Sequence, residues 1–256
     1  MKEKINQFHD LIFLHKKWNH IFDCFFFLGA KHRLSPHVEE RINQTPMRSM
    51  IDLRQEQLTD RDMDLIVQQV IVNKQCTRLW LSGNRIGPAG AATLAAALLN
   101  NHHIERLHLL GNLLGEKGIK FLMKAIANDN RTLKMLNLQD TGITDTSIEC
   151  IAEMLKTNKG LISLWLGKND ITDTGLSVLS EVLLQQNNTL QYLDLSSNKR
   201  ITNESIPQLE HLIRNARSLN ELSIFDCHIS LPAKEALAKI ARSRPRFSLY
   251  VKSWNE

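Results

Sequence analysis

One pattern recurs about every 28 residues along the 256-residue chain, and it constrains the fold more than any other feature. Each copy contains a pair of apolar residues of the Leu-x-Leu kind. The second members of these pairs are Leu53, Leu81, Leu109, Leu138, Leu166, Leu195, Ile224 and Val251. Self-similarity at a fixed period indicates a fold built by stacking one small unit on the next. The sequence therefore predicts a solenoid of seven units followed by a degraded eighth copy.

The spacing of residues inside each unit predicts its local structure. Three residues after each pair, most units carry a small polar side chain. These residues are Asn84, Asn112, Thr141, Asn169, Asn198 and Cys227, with Glu56 in the first unit. Further along, each unit has a residue that is usually Gly, Ser or Ala, and then apolar residues spaced by four, which fall on one face of a helix. Each unit is therefore predicted to be a short strand, a tight turn and an amphipathic helix, with neighbouring strands in parallel.

The unit that begins at Leu161 shows the full pattern. It reads LISLWLGKNDI over residues 161–171 and continues with Gly175, Leu179 and Leu183. The pattern resembles the leucine-rich repeat family, and within it the ribonuclease-inhibitor type, over residues 50–251. This resemblance implies an α/β fold: a horseshoe-shaped solenoid with a parallel concave sheet and convex helices.

The two ends of the chain depart from the repeat and are interpreted as caps. We predict a helical N-terminal cap at 1–49, seven repeats at 50–246, and a capping strand and tail at 247–256. Apolar residues at largely helical spacing mark the first segment: Phe8, Leu11, Ile12, Trp18, Ile21, Phe22, Phe25 and Phe26. An alternative for this segment is docking on a membrane surface or in a partner's groove. The arginines at 242, 244 and 246 are assigned to the C-terminal cap rather than to a nucleic-acid patch.

Composition excludes several classes of protein. The four cysteines, Cys24, Cys76, Cys150 and Cys227, lie far apart without metal-ligand spacing, so neither a zinc site nor a disulfide framework is expected. No apolar run is long enough to span a membrane, no secretory signal is recognisable, and a net charge of +5 names no partner. We expect a cytoplasmic monomer without cofactor or metal. We also expect that it does not bind nucleic acid and is not an integral membrane protein. If the chain is a bacterial effector, it reaches the host cytosol without a Sec signal.

Side chains alternate along a strand, so the residues flanking the buried leucines point away from the core. We call this outward surface of the sheet the concave face. Aromatic residues and arginine most often carry binding energy at protein interfaces, and several fall on it. The predicted partner-binding residues are Arg78, Trp80, Arg106, His108, Leu110, Met135, Asn137, Trp165, Tyr192, Asp194 and Phe225.

No catalytic motif is present, so the chain is predicted to be a non-enzymatic protein-interaction module that binds its partner on the concave face. The alternatives are a regulator of a small GTPase and an enzyme with an unrecognised site in the first 50 residues. A GTPase regulator would use the concave face and the loops Asn84-Arg85 or Asn198-Lys199-Arg200. The composition of the repeats also resembles that of stand-alone leucine-rich effectors of pathogenic bacteria, which would make a host signalling protein such as a small GTPase the target.

Overall fold

The structure is a computed structural model of the chain, and it describes residues 32–99, 101–127 and 130–252. Contacts divide the chain into two compact units, 1–34 and 35–256, and all elements given below belong to the second. The predicted aromatic helical segment before residue 32 lies outside the described residues. In the described part, no helix is long and apolar enough to cross a membrane.

Eight strands of three residues each form a single parallel sheet in chain order. They are β1 (Met50–Asp52), β2 (Arg78–Trp80), β3 (Arg106–His108), β4 (Met135–Asn137), β5 (Ser163–Trp165), β6 (Tyr192–Asp194), β7 (Glu221–Ser223) and β8 (Ser248–Tyr250). Equivalent residues of successive units are in register, so that Leu79 lies between Ile51 and Leu107. The predicted order, direction and register of the strands are confirmed.

Helices connect the strands and pack on one another in the same order. They are α1 (Pro36–Gln44), α2 (Met63–Ile66), α3 (Pro88–Leu98), α4 (Gly115–Ile126), α5 (Asp145–Thr157), α6 (Asp173–Gln185), α7 (Ile206–Asn215) and α8 (Leu231–Arg242). A π-helical segment, Val67–Asn73, continues α2, and short 3₁₀ turns precede α2 and α7. Proline occupies one of the first two positions of α1, α3, α7 and α8, where its missing N–H costs nothing.

The core lies between the sheet and the helices. The repeated leucines of the strands, such as Leu81 and Leu166, are fully buried, and each such burial stabilises the fold by about 2 kcal/mol. Close packing requires the small residue near the start of α4. A Cβ atom placed on Gly118 would lie 3.1 Å from Cβ of Ala91 and 3.2 Å from Cβ of Leu114. The predicted α/β leucine-rich repeat solenoid is therefore confirmed.

A row of asparagines follows the strands, and each of them joins its unit to the one before it. Asn84 donates to the carbonyl oxygens of Leu53 and Leu81 at 2.8 and 2.7 Å, and its own oxygen accepts from the Leu58 amide. Asn112, Asn169 and Asn198 repeat this arrangement. These bonds satisfy turn groups that no sheet bond reaches, as predicted. In the same row, Thr141 donates only to Leu138 of its own unit.

A second row of asparagines, which the sequence analysis missed, closes the opposite ends of the units, after the helices. Its members are Asn101, Asn130, Asn158 and Asn187, all buried. Asn158 donates to the carbonyl oxygens of Ile126 and Asn130, and it accepts from the amides of Gly160 and Leu161. The 28- or 29-residue spacing of these asparagines was the signal that could have revealed them.

Arg244 binds the end of α7, where this second row has ended. Its guanidinium donates to the carbonyl oxygens of Ile213, Ala216 and Leu219 at 2.6–2.8 Å, and it stacks 4.7 Å from the ring centroid of Phe247. The side chain therefore binds carbonyl oxygens at the end of this helix and just beyond it. It is not part of a free basic patch.

The first repeat is covered by α1. Arg41 donates to the carbonyl oxygen of Asp52 at 3.0 Å and pairs with Glu56 at 2.9 Å, and Lys74 donates to the carbonyl oxygen of Thr45 at 2.7 Å. Helix α1 is the part of the predicted cap that the structure describes. The domain boundaries themselves stay a prediction.

Candidate functional site

The concave face is organised by the register of the parallel strands. Trp80 lies opposite Asp52 on one side and His108 on the other, and Trp165 lies between Asn137 and Asp194. The leucines between these outward residues point into the core and are buried. The predicted contact residues therefore share one face of the sheet.

The first group on this face, the Trp80 cluster, consists of Asp52, Arg54, Trp80 and His108. Cζ of Arg54 lies 4.5 Å from the centroid of the Trp80 ring. On its other side the indole meets the His108 imidazole edge to face, with ring centroids 5.5 Å apart and planes at 61°. Asp52 fixes Arg54 through two bonds, Nη2 to Oδ2 at 2.7 Å and Nε to Oδ1 at 2.9 Å. A stacked surface thus spans three strands with its orientation already set.

Burial and neighbouring charges shift the pKa values of Asp52 and His108 in the Trp80 cluster. The Arg54 guanidinium holds the pKa of the Asp52 carboxyl below its usual value by hydrogen bonding to it. Burial lowers the pKa of His108, and the positive charges of Arg106 and Arg54 lower it further. His108 is therefore a neutral imidazole near pH 7, inside a locally positive field.

The second group, the Trp165 cluster, consists of Trp165 and Tyr192 on β5 and β6. Their rings are tilted by 35° with centroids 4.8 Å apart, a separation within the range that aromatic pairs favour. Burial raises the pKa of the Tyr192 phenol, and the charges of Asp194 and Glu221 add to this effect. Tyr192 therefore remains protonated and can donate a hydrogen bond.

A polar bridge beside the Trp165 cluster explains why two predicted contact residues are buried. Nε2 of Gln139 donates to Oδ2 of Asp194 at 2.8 Å, and Nδ2 of Asn137 donates to Oε1 of Gln139 at 3.1 Å. The bridge passes over Gly167, where an added Cβ would lie 2.9 Å from both Asp194 Oδ2 and Gln139 Nε2. The exposed fractions of Asn137 and Asp194 are only 6% and 2%. Their side chains are thus used inside the bridge, where sequence reasoning had placed them open to a partner.

The remaining predicted residues are accessible to different extents. Arg78, Arg106 and Leu110 are exposed, whereas Met135 and Phe225 are half-buried. Met135 lies on β4, between the strands that carry the two clusters. The described face therefore has two aromatic clusters separated by one uncharged strand.

Both indoles of the concave face carry an unsatisfied donor. Nε1 of Trp80 and Nε1 of Trp165 are buried, and within the described residues neither has a hydrogen-bond partner. A buried donor without a partner costs about 1–3 kcal/mol. These two positions are therefore candidates for a contact that the described residues do not supply.

No group of three or more His, Cys, Asp or Glu residues that could hold a metal ion occurs in the described ranges. Two thiols there are held away from reaction. Burial raises the pKa of Cys76 and of Cys227 to about 12, so both remain protonated. Cys227 also donates to the carbonyl oxygen of Leu195 in the asparagine row.

Units of 28 or 29 residues, each with a strand, a turn that is in most units closed by asparagine, and a helix, define a leucine-rich repeat solenoid. The family model described as "Leucine Rich repeat" matches residues 77–95, 129–152, 157–180 and 186–206. The mouse ribonuclease inhibitor is 29% identical over 117 residues, which are 45% of this chain and 25% of that protein. The chain is a leucine-rich repeat protein of the ribonuclease-inhibitor type.

Longer proteins share the same repeats. NACHT, LRR and PYD domains-containing protein 3 is 28% identical in rat over 199 residues, 77% of this chain and 19% of that protein. The bovine protein is 33% identical over 167 residues, 65% of this chain and 13% of that protein. The chain thus spans at most a quarter of the length of these curated relatives.

A solved structure shares the fold. The chain titled "Leiomodin-1 Actin-Binding Site 2 (ABS2)" superposes with a TM-score of 0.52 at 22% identity, over 60% of this chain and 87% of that chain. At this identity the likeness concerns the architecture.

Proposed function

We propose that this chain binds a partner protein on its concave face and does not catalyse a reaction. The observation that carries the proposal is the pair of tryptophans held on that face with unsatisfied indole donors. An unsatisfied buried donor on a surface that also carries exposed arginine and apolar side chains is one of the features by which a binding site is recognised. Trp, Tyr and Arg are also the side chains most enriched at the energetic centres of interfaces.

Repeat homology supports the general class. Leucine-rich repeats form protein-interaction modules, and one relative, the ribonuclease inhibitor, is named for its action on another protein. The Trp80 and Trp165 clusters are the proposed anchors. Leu110, Met135 and Phe225 would supply apolar contact area around them, while Asn137 and Asp194 would position the second cluster through the polar bridge.

Regulation of a small GTPase is a weaker candidate. It would need Asn84 or Asn198 beyond the strands to reach a nucleotide, but both amides are buried and bonded to carbonyl oxygens of the turns. Of the neighbouring basic residues, Lys199 forms an ion pair with Asp226. Hydrolysis and exchange rates of a panel of small GTPases, measured with this protein in excess, test the idea. The effector hypothesis rests on composition alone.

Cross-linking from the face itself tests the proposed function. A photoreactive amino acid placed at Met135 should give a protein adduct in a cell extract, whereas the same group at Glu149, exposed on α5, should not. The double variant Trp80→Ala/Trp165→Ala should lose the adduct, because both anchors are removed.

The matched control is the double variant Leu113→Ala/Leu231→Ala. It removes two exposed apolar side chains that lie outside the strands. Circular dichroism melting should show that both double variants remain folded. An adduct that forms equally from α5, or that survives in the folded tryptophan variant, would overturn the assignment.

A further inference from the structure

We infer that strands β1 to β3 bind an acidic segment of the partner protein, with its carboxylates on Arg78 and Arg106. This inference rests on the proposed function, because it concerns the partner of the same face. It adds the charge of the partner's surface and the partner's orientation along the sheet. The part of the partner over β2 and β3 is acidic, and the part over β6 and β7 is not.

The two arginines are neighbours without an acid. Arg78 and Arg106 are exposed and lie directly opposite each other on adjacent parallel strands, whose spacing is about 4.8 Å. No carboxylate of a described residue lies within ion-pair distance of either guanidinium; the ion pair found on this part of the face joins Arg54 and Asp52. Like charges directly opposite in a sheet are destabilising. An anion placed over both would relieve that repulsion.

The charge of the concave face changes sign along the sheet. At its outward positions, the β1–β3 part carries Arg54, Arg78 and Arg106 against Asp52, a net charge of +2 with His108 neutral. The equivalent positions of the β5–β7 part carry two acids and no basic residue, a net charge of −2. The equivalent positions of the β4 unit carry Met135, the amides of Asn137 and Gln139, and no charge. A partner that covers both parts can therefore bind in only one orientation along the sheet.

The titration of His108 agrees with the positive field. Burial is the main reason for its lowered pKa, but Arg106 and Arg54 act in the same direction. Asp52 lies in the same cluster and is bonded to Arg54, so it neutralises only one of the three guanidinium groups. The field over β2 and β3 therefore remains available to an incoming carboxylate.

An acidic protein segment fits the surface better than a nucleic acid does. Half-buried Met135 lies opposite Arg106, and exposed Leu110 lies on the same face; both offer apolar contact that a phosphate backbone does not use. The negative part of the face would repel a polyanion that extends along the sheet. The matching occupant carries two or more carboxylates at one end and apolar side chains beside them.

Labelled peptides test the charge preference directly. Fluorescence anisotropy would measure the binding of three 12-residue peptides, made of four Glu-Phe-Gly, Gln-Phe-Gly or Lys-Phe-Gly repeats, at low and at physiological salt. We expect the Glu peptide to bind ~10-fold more tightly than the Lys peptide. This difference in affinity should become smaller as the salt concentration rises, because salt screens the charges. In the double variant Arg78→Gln/Arg106→Gln, the Glu and Lys peptides should bind with equal affinity.

The matched control is Arg214→Gln/Arg217→Gln, which removes two exposed arginines at the end of α7 and just beyond it. It should leave the preference for the Glu peptide unchanged. Equal binding of the three peptides, no binding of the Glu peptide, or an equal loss in both arginine variants would overturn the inference. So would a 12-nucleotide oligothymidylate that binds more tightly than the Glu peptide and depends on Arg78 and Arg106.

The cross-linking assay separates this inference from the proposed function. The Met135 adduct should be lost both from the tryptophan double variant and from the Arg78→Gln/Arg106→Gln variant. If the tryptophan variant loses the adduct and the folded arginine variant keeps it, the acidic-segment inference is wrong and the binding face stands. If neither variant changes the adduct, the binding face itself is wrong.

Discussion

Two adjacent asparagines, Asn187 and Asn188, provide a direct test of how the solenoid is held together. Asn187 is buried and belongs to the second asparagine row, whereas Asn188 is exposed. Replacing each in turn by alanine makes the same chemical change at neighbouring positions. Only the first change removes hydrogen bonds from the interior.

The structure gives the size of the expected difference. Asn187 donates to the carbonyl oxygen of Leu155 at 2.8 Å and accepts from the amides of Thr189 and Leu190 at 3.1 and 2.9 Å. Asn187→Ala leaves three backbone groups without partners, at about 1–3 kcal/mol each. We therefore expect a loss of at least about 3 kcal/mol in the free energy of unfolding, against less than about 0.5 kcal/mol for Asn188→Ala.

Urea unfolding measures this difference, followed in parallel by circular dichroism and by tryptophan fluorescence. Coinciding transitions would show that unfolding is cooperative and that the free energies can be compared. An unfolding free energy of Asn187→Ala within about 0.5 kcal/mol of that of Asn188→Ala would refute the reasoning. The second asparagine row would then not contribute measurably to stability.

Three further changes have expected outcomes. Gly167→Ala should lower the free energy of unfolding by about 1–3 kcal/mol in urea, because its Cβ displaces the Asp194 bridge; an unchanged midpoint would mean that the bridge is dispensable. The lowered pKa of His108 favours the neutral form in the folded state, so its contribution is complete above pH 6.5 and decreases as pH falls below that value. The stability difference between wild type and His108→Gln should therefore be smaller at pH 5 than at pH 7.5, and a larger difference at pH 5 would contradict the sign. Arg244→Gln should cost about 2 kcal/mol through lost bonds to helix carbonyls, whereas exposed Arg246→Gln should not, and equal thermal melts would show that the cap is unimportant.

The repeat made the fold predictable because every unit shows the same residue pattern for strand, turn and helix. A single Leu-x-Leu pair is ambiguous, but eight of them in register determine the strand positions, their direction and their neighbours. The asparagine after each strand was interpreted correctly for the same reason. The second asparagine row was not predicted, because it lies in the helix-to-strand loops, away from the Leu-x-Leu pairs that define the repeat.

The sequence predicted which residues lie on the concave face, but it did not predict that they form two clusters. Alternation along a strand gives the side of the sheet, and it gives no information about contacts between strands. The bridge from Gln139 to Asp194 passes over an entire strand and is possible because Gly167 has no side chain. Only coordinates show that this bridge buries Asn137 and Asp194, and that Arg54 stacks on Trp80.

The single threonine in the first asparagine row has a mechanical consequence. Asn112 and Asn169 each fasten two successive coils, but the Thr141 hydroxyl reaches only a carbonyl of its own coil. If the ends of the stack were pulled apart in an optical trap, the junction between the coils of β3 and β4 should open at a lower force than the junctions fastened by Asn112 and Asn169.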